Sequence, residues 1–340
     1  MKIVVDKNIP FIQKPLEGLG EIVYLKGDAI TPEVMRDADI LLIRTRTRCD
    51  SRLLDGSRCS FIGTATIGTD HIDLGYCREK GITVANAPGC NAPGVAQYVL
   101  SAVKTILKPG EKLSDKTIGI IGVGNVGSLV KKWAESLGMK VLLNDPPKFG
   151  DSEINTPLDV IAAECDVITV HTPMVKAGEH PTYHLIGSEF LRKVTRKPLL
   201  INSARGGVID TQAVKAALAN GTLSAVAIDC WEEEPEIDCD LLENALIATP
   251  HIAGYSYEGK VRATQMTLDA LADYLASSGI TLPALDIRLN PVPESITPEM
   301  LDYDILADTQ ALKAVNRTPQ LPTTFESLRN NYNLRHEPGQ

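Results

Sequence analysis

The sequence predicts an α/β protein built as two successive doubly wound parallel-sheet domains. Three observations carry this: short β-branched runs that are apolar on both faces, helix-length polar stretches between them, and one interruption after which the alternation begins again. A chain of 340 residues, 44% of them hydrophobic, is long enough to bury two such cores.

The first strands are read at KIVV (2–5), EIVYL (21–25), ADILLI (38–43), CSFIGTA (59–65) and GITVAN (81–86). Each is strand-length and lacks a polar face, as a strand covered on both sides requires, and the spacings leave room for crossover helices. From Asn91 the segment NAPGVAQYVLSAVKTILK reads as a helix opened by Pro93, and KPGEKLSDK as a polar connector. Six further strands follow at TIGIIG (117–122), KVLLND (140–145), DVITVHT (166–172), PLLINSA (198–204), SAVAID (224–229) and ALIATP (245–250). The helical pattern GKVRATQMTLDALADYLASSG (259–279) then returns to the first domain and makes it discontinuous. Beyond Thr281, the prolines 283, 291, 293, 298, 319, 322 and 338 argue against long helices and predict a small appended domain.

Charge and cysteine usage exclude several classes of function. Thirty-four Lys and Arg against 43 Asp and Glu give a net charge of −9, so there is no nucleic-acid footprint and any anionic ligand needs a local cation. No run approaches the roughly 18 apolar residues of a membrane span, and MKIVVDKNIP lacks the pattern of a cleavable leader. The seven cysteines (49, 59, 77, 90, 165, 230, 239) are scattered and never form CxxC, which suggests neither a disulfide framework nor a metal cluster. A cytoplasmic protein is expected, with neither a membrane nor a nucleic acid as partner.

The strand TIGIIG runs into GVGNVGSLVKKWAESLG, placing Gly122, Gly124 and Gly127 as GxGxxG at a strand-to-helix turn, with Asn125 and Val126 between the last two. The first glycine allows the tight turn, the second a close approach of backbone to a pyrophosphate, and the third close helix packing, while helix-start N–H groups face the phosphate charge. The next strand ends in Asp145, an acidic side chain placed to accept ribose hydroxyls. Pro146 and Pro147 follow it rather than an Arg, which favours NAD over NADP.

In such a sheet, ligands bind beyond the carboxyl ends of the strands. Those ends deliver Thr172, then Ser203, Ala204 and Arg205, then Asp229, then His251. Arg205 sits beside two glycines in NSARGGVID, and a planar guanidinium suits bidentate capture of a carboxylate. In WEEEPE, spacing alone does not choose among Glu232, Glu233 and Glu234. His251 in TPHIAGYS stands out from an ordinary packed histidine only by its place at a strand end.

The ordered set GVGNVG, Asp145, HTP, NSARGG, AIDCWEEEP and TPHIAGYS resembles the D-isomer-specific 2-hydroxyacid dehydrogenases over about residues 40–275. The resemblance implies a Rossmann NAD domain (93–253) inserted in a flavodoxin-like substrate domain (1–92 and 254–280), followed by a C-terminal dimerisation domain (281–340) and hence a homodimer. It implies Arg205, Glu234 and His251 as the catalytic set, and Thr172, Ser203, Ala204, Asp229 and Gly254 as cofactor contacts beside the glycine turn. Three further stretches, GTATIGTDHID, NAPGCNAPGVAQYV and DKTIGIIGVGNVGS with NDPP, and the tail FESLRNNYNLRHE, are similar to a subfamily that acts on a phosphorylated small hydroxy acid. That likeness implies Thr45, Thr66 and Tyr255 as substrate contacts.

An anionic substrate also has support from the residues themselves. RTRTR (44–48) follows a strand, and in extended geometry Arg44, Arg46 and Arg48 share one face, where a phosphate could be bound. His71 in GTDHID is expected either to support the site from behind its contact residues or to pack as a structural residue, and Cys90 to be a small buried side chain at a helix start. Two other readings fit the same motifs: a sister enzyme such as phosphoglycerate dehydrogenase or glyoxylate/hydroxypyruvate reductase, and a nicotinamide-sensing regulatory protein.

Overall fold

The computed structural model describes residues 1–339, which divide into two compact units. One comprises Met1–Asn91 and Ser256–Leu289; the other runs from Ala92 to Tyr255 and resumes at Asn290.

The first unit is a five-stranded parallel sheet of β1 (Lys2–Asp6), β2 (Glu21–Leu25), β3 (Ile40–Ile43), β4 (Phe61–Thr64) and β5 (Thr83–Ala85), in the order β2-β1-β3-β4-β5. This is the flavodoxin-like order. Its central strands have no polar face because both faces are covered. Ile3, Val5, Leu42 and Phe61 pack with Ala263, Leu268 and Leu271 of the helix Tyr257–Leu275. Val4, Leu41 and Ile62 pack on the other side with Met35, Leu54 and Cys77. That helix is capped by Ser256, whose hydroxyl accepts the Gly259 N–H at 3.1 Å.

The second unit holds β6 (Thr117–Ile121), β7 (Lys140–Asn144), β8 (Val167–Val170), β9 (Leu199–Asn202), β10 (Ala225–Ile228) and β11 (Ile247–Ala248), all parallel, in the order β11-β10-β9-β8-β6-β7. An isolated bridge from Leu143 to Asn155 lies beside β7, where a Rossmann sheet has one further edge strand. Reading each strand through to its polar end overshoots by one to several residues. The ladder stops where the chain turns off the sheet to present Thr172, Ser203, Asp229 and His251.

The tail departs from expectation. Residues 290–339 form no compact unit of their own: they cluster with the second unit because their apolar side chains complete its core. Ile296, Leu301 and Ile305 join Trp133 and Tyr98 on one side of the sheet, while Leu312, Leu321 and Phe325 join Trp231, Ile237 and Leu241 on the other. Two short helices, Ile305–Lys313 and Leu321–Asn330, carry Ile305, Leu312, Leu321 and Phe325, and the segment before them carries Ile296 and Leu301.

Candidate active site

The glycine turn after β6 is built as its spacing demands. A Cβ on Gly127 would stand 2.0 Å from the Gly122 carbonyl oxygen, and one on Gly122, at φ +89, would stand 2.8 Å from the Thr172 nitrogen. A Cβ on Gly124 would meet nothing within 4 Å, so open space borders the backbone where a pyrophosphate approaches. The helix Asn125–Ser136 starts there, with Gly124 as its N-cap and Val126 partly buried against the core. The Asp145 carboxylate accepts N–H donors from Val123 at 2.7 Å and Lys148 at 3.2 Å, so it lies against the glycine turn itself.

Two strand-end hydroxyls, the first of them beside this turn, lack partners among the described residues. Thr172 Oγ1 and Ser203 Oγ are buried and make no hydrogen bond, a costly arrangement unless a ligand supplies one. The open cradle at Gly124 and these two oxygens fit a dinucleotide. His171, next to Thr172, is partly buried and driven down to about 3 by that burial, so it is a neutral packed residue.

The WEEEP loop separates its three glutamates clearly. Glu234 places Oε2 at 2.9 Å and Oε1 at 3.1 Å from His251 Nδ1, and Oε1 also accepts the Trp231 N–H at 2.9 Å. Glu232 turns away to His184 at 2.7 Å and to the Thr211 N–H at 3.0 Å, and Glu233 is exposed. Burial disfavours a charge on either Glu234 or His251, but each outweighs it for the other: Glu234 is held below, and His251 well above, its ordinary value. The Cys230 thiol beside them is pushed up by burial and stays protonated, so the Glu234 carboxylate is the charge that acts on His251. Cys230, Glu234 and His251 offer ligand atoms within 4.8 Å of one another, and the Glu234 carboxylate is committed to the imidazole, which makes Glu234 and His251 an acid–base pair.

Arg205 follows β9, and its Nη1 donates to the Ala204 carbonyl at 2.8 Å. Gly206 brings this loop against the WEEEP loop: a Cβ there would lie 1.8 Å from the Trp231 carbonyl oxygen. Buried Asn202 ties the two together, donating from Nδ2 to the carbonyls of Arg205 and Cys230, each at 3.0 Å.

Asp229 plays a part that its strand-end position did not reveal. Its buried carboxylate accepts from the Thr249 hydroxyl at 2.7 Å, the Ile252 N–H at 2.7 Å and the Ala253 N–H at 3.0 Å, while the His251 N–H reaches the Asp229 carbonyl at 2.9 Å. It therefore fixes the segment that carries His251, Gly254 and Tyr255. His251 itself has φ +58, a left-handed conformation that His, Asn and Asp enter more readily than most residues.

The residues expected at the substrate's end lie in both units. Tyr255 belongs to the second, where Arg329 donates from Nε to its hydroxyl at 3.3 Å. Thr45 and Thr66 belong to the first; Thr45 is exposed, and Thr66 Oγ1 lies 2.7 Å from Thr64 Oγ1, which in turn is 3.3 Å from His71 Nε2. The expected alternation along RTRTR is not realised, because β3 ends at Ile43 and the chain turns. Thr47 buries its hydroxyl on the Gly27 carbonyl at 3.0 Å, Arg44 reaches the Asn8 carbonyl and Arg48 pairs with Asp50, so the three arginines do not form one face.

The model of the D-isomer specific 2-hydroxyacid dehydrogenase NAD-binding domain matches residues 98–253. An erythronate-4-phosphate dehydrogenase from Bacteroides fragilis is 46% identical over 100% of this chain and 98% of its own, and one from Bacteroides thetaiotaomicron is 47% identical over 99% and 97%. Among solved structures, a D-lactate dehydrogenase from Aquifex aeolicus in complex with NAD and lactic acid superposes with TM-score 0.68 at 27% identity, covering 82% of this chain and 96% of its own. The NAD+-bound 3-phosphoglycerate dehydrogenase of Entamoeba histolytica gives 0.69 at 27%, over 86% and 99%. The chain belongs to the D-isomer-specific 2-hydroxyacid dehydrogenases, NAD-dependent enzymes, in the group whose curated members are erythronate-4-phosphate dehydrogenases.

Proposed function

We propose that the protein oxidises 4-phospho-D-erythronate at C2 to (R)-3-hydroxy-2-oxo-4-phosphooxybutanoate, a step of pyridoxal 5′-phosphate (vitamin B6) biosynthesis. The observation that carries this reading is the Glu234–His251 pair at 2.9 Å, one strand end away from the Arg205 loop, in a chain collinear with the erythronate-4-phosphate dehydrogenases over its full length. NAD, when bound, supplies the acceptor for the C2 hydride.

His251 takes the C2 hydroxyl proton. Its Nδ1 is held by Glu234, which fixes one tautomer and leaves Nε2 as the nitrogen that exchanges the proton. Glu234 stabilises the imidazolium that forms, so the charge moves from substrate to a site prepared for it. Arg205 holds the C1 carboxylate and polarises the C2 oxygen, and Tyr255, Thr45 and Thr66 bind the rest of the substrate. Gly122, Gly124, Asn125, Val126, Gly127, Asp145, Thr172, Ser203, Ala204 and Gly254 line the cofactor, with Asp229 steadying the loop between. We also infer a cytoplasmic homodimer, on the likeness of the tail to the subfamily's dimerisation domain. Among the described residues no helix is long and apolar enough to cross a membrane.

The test is NADH formation when 4-phosphoerythronate is added to the purified protein, with and without a 2-oxo acid acceptor, beside 3-phosphoglycerate and D-lactate. Turnover confined to the four-carbon phosphate is expected. Turnover only on a control would make this a sister enzyme, and nucleotide binding without turnover would make it a sensor.

Two predictions arise here. In the oxidative direction His251 must be neutral, so kcat/KM is expected to fall as pH drops through its raised pKa; in the reductive direction it must be protonated, so kcat/KM falls as pH rises through the same value. Glu234→Gln removes the negative charge, lowers the His251 pKa and moves both limbs to lower pH, which paired pH–rate profiles read directly. Ser203→Ala is expected to leave the ligand-free melting temperature unchanged or slightly raised, because its buried hydroxyl is unpaired, while NADH binding weakens about three- to tenfold in a fluorescence titration.

A further inference from the structure

The tail reaches the active-site segment of the second unit with two arginines of opposite character. Arg335 is saturated: it donates to the carbonyls of Gly94 at 2.9 Å, Ile252 and Tyr255 at 3.1 Å each, and Ala253, reaches Gln97 Oε1 at 3.0 Å, and lies 4.5 Å from the Tyr303 ring centroid. It is a clamp on the segment that begins at His251, and its donors are spent on backbone carbonyls and on the Gln97 side chain.

Arg329 is not saturated. It stands in the last turn of the helix Leu321–Asn330, which is anchored in the core by Leu321 and Phe325. Only its Nε is engaged, with the Tyr255 hydroxyl at 3.3 Å, and among the described residues no carboxylate lies within ion-pair distance of it. Burial opposes its charge, yet Tyr255 and the Glu234 carboxylate keep the guanidinium protonated. A half-buried cation with two NH2 groups that make no hydrogen bond, and with its nearest opposing carboxylate, Glu234, beyond ion-pair distance and committed to His251, is expensive in a protein at rest. It is the arrangement expected of a site whose counter-ion arrives with the ligand.

A substrate with a carboxylate at one end and a phosphate monoester at the other has one end for Arg205 and needs a second cation for the other. A guanidinium presents the planar fork that matches phosphate oxygens bidentately. We propose that Arg329, steadied by the Tyr255 hydroxyl, binds the phosphate monoester of the substrate, so that the tail is a specificity element of the active site. This rests on the reading of the substrate as a phosphorylated hydroxy acid.

The experiment compares wild type with Arg329→Gln, Arg329→Lys and Tyr255→Phe in two measurements. In steady-state kinetics with 4-phosphoerythronate and unphosphorylated erythronate, Arg329→Gln is expected to raise KM for the phosphate ester about 10- to 100-fold, the loss of a bidentate charge-assisted contact, with a severalfold smaller loss on erythronate. Arg329→Lys recovers part of this, and Tyr255→Phe, which keeps the charge but frees it, loses about three- to tenfold. In calorimetric titration of the NADH-loaded protein with inorganic phosphate, wild type binds and Arg329→Gln binds at least tenfold more weakly. Equal losses on both substrates with phosphate binding unchanged would overturn the proposal and make Arg329 a positioning residue for Glu234, and no phosphate binding by wild type would also overturn it. If wild type turns over neither erythronate, the substrate reading fails, while the phosphate titration still decides the role of Arg329. Should Arg329→Gln melt early, Arg329→Lys, which keeps the charge but not the planar fork, carries the comparison.

Discussion

His251→Ala is expected to lower kcat/KM for oxidation by about 10³-fold or more while NADH still binds. General acid–base catalysis is worth roughly 10² to 10⁴ in rate, and among the described residues of this site no second group stands ready to take the proton. Glu234 is committed through both oxygens to Nδ1 and to the Trp231 N–H, and Cys230 is a buried thiol pushed above its ordinary value. The loop itself should survive the substitution, since its anchors are the Asp229 carboxylate on the Ile252 and Ala253 N–H groups and Arg335 on its carbonyls. The left-handed φ of +58 at this position provides a control for backbone strain. Asn tolerates that conformation better than Ala, so His251→Asn should lose as much activity as His251→Ala but melt at a higher temperature. A fall in activity that tracked melting temperature across the two variants would show strain rather than a missing base, and full activity in either would remove His251 from the mechanism.

Much of this was legible in the sequence because the relevant signals are local. Runs such as ADILLI and DVITVHT are apolar on both faces because helices or tail segments cover both sides of each sheet, and the glycines of GVGNVG are fixed by contacts within a few residues, as the 2.0 Å approach of a Gly127 Cβ to the Gly122 carbonyl shows. Strand ends could be found, and with them the positions of Arg205 and His251. What stayed hidden depends on contacts far apart in the chain. No spacing rule sends Glu234 to His251 and Glu232 to His184, since the choice is made by how the loop folds back on the Trp231 N–H. RTRTR reads as a strand continuation until Thr47 finds the Gly27 carbonyl and turns the chain. The proline-rich tail has too little periodicity to announce that Phe325 belongs to the core of the second unit, and so nothing in its sequence foretold that Arg329 and Arg335 stand at the active-site segment. The signal was present only as unexplained cations in FESLRNNYNLRHE.

Gly206→Ala is expected to be severely damaging, and its neighbour supplies the comparison. A Cβ at Gly206 would lie 1.8 Å from the Trp231 carbonyl oxygen, 2.1 Å from its carbon and 2.5 Å from the Glu232 nitrogen, all backbone atoms that no rotamer change can move. A Cβ at Gly207 would meet Tyr183 and Met174 side-chain atoms at 3.4–3.6 Å, which is ordinary contact. Relieving the first clash means separating the Arg205 loop from the WEEEP loop, against the hydrogen bonds by which Asn202 ties the Arg205 and Cys230 carbonyls. Overpacking of this kind costs about 3 kcal/mol, the upper end of the usual range, which lowers the melting temperature by roughly 6–12 °C. The functional loss should exceed the loss of folded protein, because the two loops carry the carboxylate-binding arginine and the glutamate that orients His251, and a displacement of about 1 Å between such groups costs about 10²-fold in rate. Calorimetry and steady-state assays on Gly206→Ala and Gly207→Ala, run below the melting range of both, separate the two effects. If the variants behave alike, the close approach of these loops does not hold the site together, and the arrangement of Arg205 against Glu234 must be secured by Asn202 alone.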